Sequence, residues 1–96
     1  MDKVLIVTGA GRGIGAAIAR LGAREGYAVC VNYAANQDAA ERVVADIRAA
    51  GGKAIAVQAD AGKRAEAKRM FETVDRELGT VTALINNAGI TGPLEA

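Results

Sequence analysis

Glycine at every second position is the feature of this sequence best suited to chemistry. Gly9, Gly11, Gly13 and Gly15 follow the apolar run 4–7, which predicts a buried parallel strand. The apolar spacing then becomes helical. A strand, a glycine turn and a helix in this order point the free N–H groups of the helix N-terminus at whatever lies above the strand end. Those donors favour an anion such as a pyrophosphate; a tight turn without a ligand is the alternative interpretation.

Short apolar runs alternate with stretches of helical apolar spacing along the chain, and this alternation predicts a doubly wound α/β fold. We expect a parallel sheet of strand order 3-2-1-4 with βαβαβαβ connectivity, a Rossmann-like arrangement whose ligand edge is the carboxyl end of the strands. The predicted strands are 4–7, 27–33, 53–58 and 81–85, and the predicted helices are 14–25, 37–50 (with Asn36 as N-cap) and 63–78. The residues expected to face the sheet are Ala17, Ile18 and Leu21 in the first helix, Val43, Val44 and Ile47 in the second, and Ala67, Met70, Phe71, Val74 and Leu78 in the third.

Three further groups of residues fall at that ligand edge. Asn32 and Tyr33 end the second strand without an acidic residue, so nothing there favours a free ribose 2′-hydroxyl. Arg12, inside the glycine turn, is within plausible reach of a 2′-phosphate, which favours NADP over NAD; a solvated surface arginine is the alternative. Asp60 follows the third strand, where it could cap a helix, form a turn or accept from an adenine amino group.

Two motifs together carry a family resemblance. The turn reads Thr8-Gly9-x-x-x-Gly13-x-Gly15, whereas the common Gly-x-Gly-x-x-Gly/Ala fingerprint fits only a shifted frame from Gly11. Two asparagines then end the fourth strand, where buried amides must find partners. With the motif Asn86-Asn87-Ala88-Gly89, the chain resembles the cofactor-binding half of the short-chain dehydrogenase/reductase family over essentially all its residues.

The resemblance implies a role for each matching residue. Gly9, Gly11, Arg12, Gly13, Ile14 and Gly15 would hold the pyrophosphate and nearby groups, Asn32 and Tyr33 would border the adenosine ribose, and Asp60 and Ala61 would border adenine. Asn87, Ala88 and Gly89 would line the ribose towards the nicotinamide, and the asparagines would tie the fourth strand to the first near Thr8. It implies an oxidoreductase that reduces a small carbonyl or oxidises the corresponding alcohol and forms a homo-oligomer. The charges at the adenosine end make NADP the expected cofactor, and a cytoplasmic location is the default expectation from the composition.

The catalytic residues of that family have no match among these 96 residues. Its members use a Ser and a Tyr-x-x-x-Lys pair, but the sequence contains no Ser, and Val31 and Gln37 stand four residues after the two tyrosines. We therefore expect residues 1–96 to be a dinucleotide-binding domain that is inactive by itself, with an exposed fourth strand that further strands should cover.

Composition narrows the alternatives. A net charge of +1 with scattered charges gives no basic patch for nucleic acid, and no apolar run is long enough to cross a membrane. The sequence has no His for a triad or metal site, and the single cysteine, Cys30, is expected to be an inert core residue. A truncated, non-catalytic nucleotide-binding module is the second hypothesis. A flavodoxin-like or receiver-like domain is a third, which the double asparagine disfavours.

Overall fold

Strands and helices alternate strictly along the chain. The structure, a computed structural model, describes residues 3–87. Its elements are β1 (Lys3–Val7), α1 (Gly13–Arg24), β2 (Tyr27–Tyr33), α2 (Gln37–Ala49), β3 (Ala54–Gln58), α3 (Arg64–Glu77) and β4 (Ala83–Ile85). The predicted element order is confirmed, and the bounds differ by at most two residues.

The four strands form one parallel sheet of order β3-β2-β1-β4, as predicted. Strand β1 lies at the centre, with Leu5 opposite Val29 of β2 on one side and opposite Ala83 of β4 on the other. Strands β2 and β3 follow one another on one side of β1, and β4 then lies on its other side. The direction in which successive strands are added therefore reverses between β1 and β4. Open α/β sheets bind ligands at such a reversal.

Helices cover both faces of the sheet. Alternate residues of β1 belong to different cores: Leu5 and Val7 pack under α1 and α2, whereas Val4 and Ile6 pack under α3. Cys30 is buried in the second core, and desolvation raises the pKa of its thiol from 9.0 to about 12. This is the environment of a structural cysteine, as expected, because the reactive form of a thiol is the thiolate.

The buried face of α1 differs from the predicted one. Gly15, Ala16 and Ala19 are buried, whereas Ala17 is exposed and Leu21 is 55% exposed. Of the three residues predicted to face inwards, only Ile18 packs against the core, and it is half-buried. The helix lies so close to the sheet that only the smallest side chains fit beneath it, so the larger apolar residues point away.

The inward faces of the other two helices were predicted better. In α2, Val43, Val44 and Ile47 are buried, and the Asn36 side chain caps the helix by accepting from the N–H of Ala39 at 3.0 Å. In α3, Met70 and Val74 are buried one turn apart, and Ala67 and Leu78 are half-buried. Phe71 is exposed, contrary to the prediction, because it lies about 100° round the helix from Met70.

Strand β4 is two residues shorter than predicted, and before it the N–H of Thr82 donates to the Val4 carbonyl at 2.9 Å while the Thr82 side chain adds to this pairing. The Thr82 hydroxyl accepts from the N–H of Val4 at 3.0 Å and donates to the Val4 carbonyl at 3.2 Å. Leu84 and Ile85 are 49% and 38% exposed, and within residues 3–87 β4 pairs only with β1. No helix in that range is long and apolar enough to cross a membrane.

Candidate functional site

The N-terminus of α1 lies where the glycine turn leaves β1. Arg12 is the N-cap residue but its side chain makes no capping hydrogen bond, and the first turn contains no acidic residue. The first N–H to bond back into the helix is that of Ala16, which donates to the Arg12 carbonyl at 3.3 Å. The N–H groups of Gly13, Ile14 and Gly15 therefore precede the intrahelical ladder and, with the helix dipole, favour an anion.

The other two helices begin differently. The start of α2 has the Asn36 cap and an acidic residue, Asp38, in its first turn. The first turn of α3 contains Glu66, whose carboxylate accepts from the N–H of Asp60 at 2.7 Å. Both of these helix ends thus carry a negative side chain, so within residues 3–87 the end of α1 is the one best suited to an external anion.

At two positions of the turn, the structure shows why the residue is glycine. Gly13 has φ +63°, a backbone conformation that residues other than glycine rarely adopt. Nothing lies within 4 Å of the position where its Cβ would be, so the reason for glycine here is the conformation and not a lack of space. A methyl group at Gly15 would collide with the Gly9 carbonyl oxygen and would lie 2.6 Å from Asn87 Nδ2. Gly11 faces the start of α2 instead, at ordinary contact distances of 3.5 Å or more.

Gly9 is held from two neighbouring strands. Its N–H donates to Asn32 Oδ1 at 3.2 Å, and its carbonyl accepts from Asn87 Nδ2 at 3.0 Å. The next N–H, that of Ala10, donates to the Asn32 carbonyl at 2.8 Å. Both N–H groups at the start of the turn are therefore used within the protein, and the donors left for a ligand lie further on, at the helix end.

The double asparagine connects β4 to β1, as the resemblance implies. Thr8 donates from its N–H to the Ile85 carbonyl at 3.0 Å and from its hydroxyl to Asn86 Oδ1 at 3.1 Å. Together with the bond from Asn87 to Gly9, these contacts extend the β1–β4 pairing beyond the last strand residue. The predicted site residues Ala88 and Gly89 lie outside the described residues.

A cavity of about 270 Å³ opens beside the glycine turn at the carboxyl ends of β2 and β3. Its volume is below the usual range for a whole drug-sized ligand, so it suits one part of a larger molecule. Four predicted site residues line it together with four that were not predicted. The lining residues are Gly9, Asn32, Asp60 and Ala61, and Ala34, Ala59, Gly62 and Asn86.

Asp60 is fixed by a turn rather than by capping α3. Its Oδ1 accepts from the N–H of Gly62 at 3.0 Å, and its carbonyl accepts from the N–H of Lys63 at 2.9 Å. Because a carboxylate has two oxygens, Oδ2 can still accept a hydrogen bond from a group in the cavity. Glu66, which holds the N–H of Asp60, was not predicted, because no capping motif reaches back over six residues.

Tyr33, Arg12 and Ile14 do not line the cavity, and Asn32 lines it without a free N–H donor. Tyr33 packs against the core beneath α1 and α2 and does not line the cavity that contains Asp60. Arg12 and Ile14 are exposed at the helix end, Ile14 to 69%, where they could flank an extended ligand. Asn32 is 2% exposed, its amide bonds to backbone groups and both of its N–H donors are used, so its contribution at this edge is to the shape of the backbone.

A second cavity of about 270 Å³ lies at the opposite edge of the sheet, among Lys3, Gly26, Gly51 and Lys53. The helices α1 and α2 end there, so the local dipoles present carbonyl oxygens rather than N–H donors. Volume does not distinguish the two cavities. The two cavities differ in their surroundings, because only the one at the carboxyl edge lies beside the uncapped start of α1 and contains the carboxylate of Asp60. We therefore place the candidate site at the carboxyl edge.

Comparison with known proteins decides the family. The family profile described as short chain dehydrogenase matches residues 3–96. The chain belongs to the short-chain dehydrogenase family. It is 50% identical over 91 residues to the 3-oxoacyl-[acyl-carrier-protein] reductase FabG of Staphylococcus epidermidis, a match that covers 95% of this chain and 37% of that protein.

Other members of the short-chain dehydrogenase family match to a similar extent. Versicolorin reductase 1 of Aspergillus parasiticus is 55% identical over 89 residues, covering 92% of this chain and 34% of that protein. A short chain dehydrogenase from Mycobacterium avium has a crystal structure with a TM-score of 0.86 at 40% identity, covering 95% of this chain and 36% of that one. The chain thus spans about a third of the length of each of these relatives.

Proposed function

We propose that this chain is the dinucleotide-binding part of an NADP-dependent short-chain oxidoreductase. The observation that carries the proposal is the uncapped start of α1 beside the cavity that contains Asp60. An elongated ligand with a pyrophosphate in the middle could contact both, with its anionic centre at the N–H groups of Gly13, Ile14 and Gly15 and its heterocycle at Asp60. Two of the relatives described above are named reductases, which supports an oxidoreductase activity.

The dinucleotide would supply the hydride chemistry when bound, by transfer between its nicotinamide and a small carbonyl or alcohol substrate. The residues of this chain would bind and orient it. Asp60 would accept from the adenine amino group, and the N–H of Ala61 would donate to the same ring. Asn87, with Ala88 and Gly89, would border the ribose next to the nicotinamide.

NADP rather than NAD is proposed on the charges around the adenosine end. The end of β2 has no acidic residue to bind a 2′-hydroxyl, and Arg12 is an exposed cation at the neighbouring turn. Arginine binds phosphate by two parallel hydrogen bonds, and each charge-assisted bond is stronger than a neutral one. We further propose a cytoplasmic homo-oligomer, with neither nucleic acid nor membrane as a partner.

The test measures dissociation constants for NADPH and NADH. We expect Arg12→Ala to weaken NADPH binding about tenfold or more, because one charge-assisted pair is lost, and to change NADH binding less than about twofold. Arg24→Ala is the matched control, since Arg24 is an exposed arginine at the other end of the same helix. Equal weakening of NADPH and NADH by Arg12→Ala would contradict the 2′-phosphate contact.

The second candidate function is a nucleotide-binding module without catalysis, and both candidates are consistent with residues 1–96 containing neither Ser nor a Tyr-x-x-x-Lys pair. The intact mass of the protein from its source separates the two. A mass of 9.8 kDa would favour the module, and a mass more than twice as large would favour an oxidoreductase with its catalytic residues elsewhere. NADPH oxidation by these 96 residues alone would contradict our expectation that they contain no catalytic residues.

A further inference from the structure

Asn32 is a buried polar side chain that connects two segments of backbone. It is 2% exposed at the end of β2. Its Oδ1 accepts from the N–H of Gly9 at 3.2 Å, and its Nδ2 donates to the carbonyls of Val57 and Ala59 at 3.2 and 3.1 Å. Since an amide nitrogen has two hydrogens, both donors are used and none is left for a ligand.

The two segments that Asn32 joins are the two parts of the candidate site. Gly9 begins the glycine turn, and its neighbour Ala10 also bonds to the Asn32 carbonyl. Ala59 lines the cavity directly before Asp60. Gly9 and Ala59 both lie just beyond the strand ends, where one main-chain bond, from the N–H of Ala59 to the Tyr33 carbonyl at 3.0 Å, continues the pairing of β2 with β3.

An amide at position 32 carries a free-energy cost of burial that an apolar side chain would not. The two preceding core residues of β2, Cys30 and Val31, are apolar, and burying an amide costs free energy that its hydrogen bonds must offset. The amide fixes the distance between the turn and the cavity, because the same planar group bonds to both.

We propose that Asn32 is a positioning residue that couples the glycine turn to the cavity beside Asp60, so that dinucleotide affinity depends on an amide that donates nothing to the ligand. This inference rests on the proposed function. It assigns to Asn32 a role different from direct contact with the ribose.

The first test compares Asn32→Ala with Gln58→Ala in the intact protein, using NADP⁺ as the probe. Gln58 is the matched control because its amide also donates to a backbone carbonyl at a strand end, that of Ala34, but does not reach Gly9. We expect Asn32→Ala to raise the dissociation constant of NADP⁺ about tenfold or more, because two carbonyls and one N–H lose their partner. Gln58→Ala should change it less than about twofold, since its bond is exposed.

The second test uses Asn32→Asp, which keeps an oxygen for the N–H of Gly9 but replaces the donor that faces Val57 and Ala59. Burial and the two carbonyl oxygens should raise the pKa of the introduced carboxyl, and only its protonated form can donate to one of them. The affinity of Asn32→Asp for NADP⁺, relative to the unmodified protein, should therefore recover as the pH falls from about 8 to about 5.5. A ratio independent of pH would overturn the proposal.

The third test follows amide hydrogen exchange at Gly9 and Ala10. Adenosine 2′,5′-bisphosphate should slow exchange at Gly9 in the unmodified protein but not in Asn32→Ala, while exchange in β1 is unchanged in both. If Asn32→Ala retains its fold and binds NADP⁺ within about twofold of the unmodified protein, the coupling is wrong and the proposed function stands. If the unmodified protein does not bind NADP⁺, both are wrong.

Discussion

Asn87 and Gly9 share a hydrogen bond that determines how closely α1 can approach the sheet. The Asn87 amide donates to the Gly9 carbonyl at 3.0 Å, and the position that a Cβ of Gly15 would occupy lies against both partners. The first turn of α1 therefore rests on the bond between β4 and the glycine turn. Any side chain at position 15 would have to displace one of them.

We expect Gly15→Ala to lower the free energy of unfolding by about 1–3 kcal/mol, because the added methyl meets backbone that cannot move aside. Chemical denaturation measures this. Gly11→Ala is the control for stability, since its methyl would meet nothing closer than 3.5 Å, and it should change the free energy by less than about 0.5 kcal/mol. Equal effects of the two substitutions would show that the close approach of α1 is not what requires glycine.

Asp60→Asn should change which heterocycle the cavity prefers. The Oδ1 that bonds to Gly62 can be retained, while the second oxygen becomes an NH₂ group that donates instead of accepting. We expect about tenfold weaker binding of NADP⁺ and stronger binding of the hypoxanthine analogue, whose ring carries an acceptor in place of the amino group. Asp75→Asn, on the exposed side of α3, is the control. An unchanged preference would contradict the adenine contact.

Thr82→Val should weaken the junction of β4 with β1. The substitution keeps the shape of the side chain but removes both hydroxyl hydrogen bonds to Val4, which should cost about 1–2 kcal/mol of stability. Thermal or urea unfolding measures the loss. Thr80→Val removes a hydroxyl from an exposed neighbour and should cost less than about 0.5 kcal/mol. Similar losses would mean that the Thr82 hydroxyl contributes nothing specific.

Cys30 should make stability depend on pH in the alkaline range. Burial raises the pKa of this thiol from 9.0 to about 12, so between these values the unfolded chain releases a proton that the folded chain retains. Stability must then fall as the pH rises, by up to about 1.4 kcal/mol per pH unit from this group. Urea unfolding of the unmodified chain and of Cys30→Ala should diverge in slope above about pH 9. Parallel pH profiles would contradict the buried thiol.

The strand order and most element bounds could be predicted from the sequence because they depend on local pattern and on the handedness of parallel connections. The inward face of α1 could not. Periodicity identifies where apolar residues fall, and Leu21 fits a helical stripe, but the helix buries Gly15, Ala16 and Ala19 because it must pass close to the glycine turn.

The candidate site was predicted in outline for a similar reason. Gly9, Asp60 and Ala61 follow strand ends, and parallel strands bring their carboxyl ends to one edge. The partners of buried amides depend on tertiary contacts, so the sequence could not reveal that Asn32 bonds to Gly9 and Ala59. The direction of Tyr33, towards the helices rather than the cavity, depends on the pleat of β2 at its last residue.

The uncapped start of α1 divides recognition between main chain and side chains. The donors at Gly13, Ile14 and Gly15 are backbone N–H groups, which no substitution other than proline removes. Point mutation can alter Arg12 or Asp60 while the attraction for an anion persists. Under the proposed function, a gene encoding this turn would exchange one nucleotide ligand for another through single codons, without rebuilding the main-chain donors that would hold the phosphates.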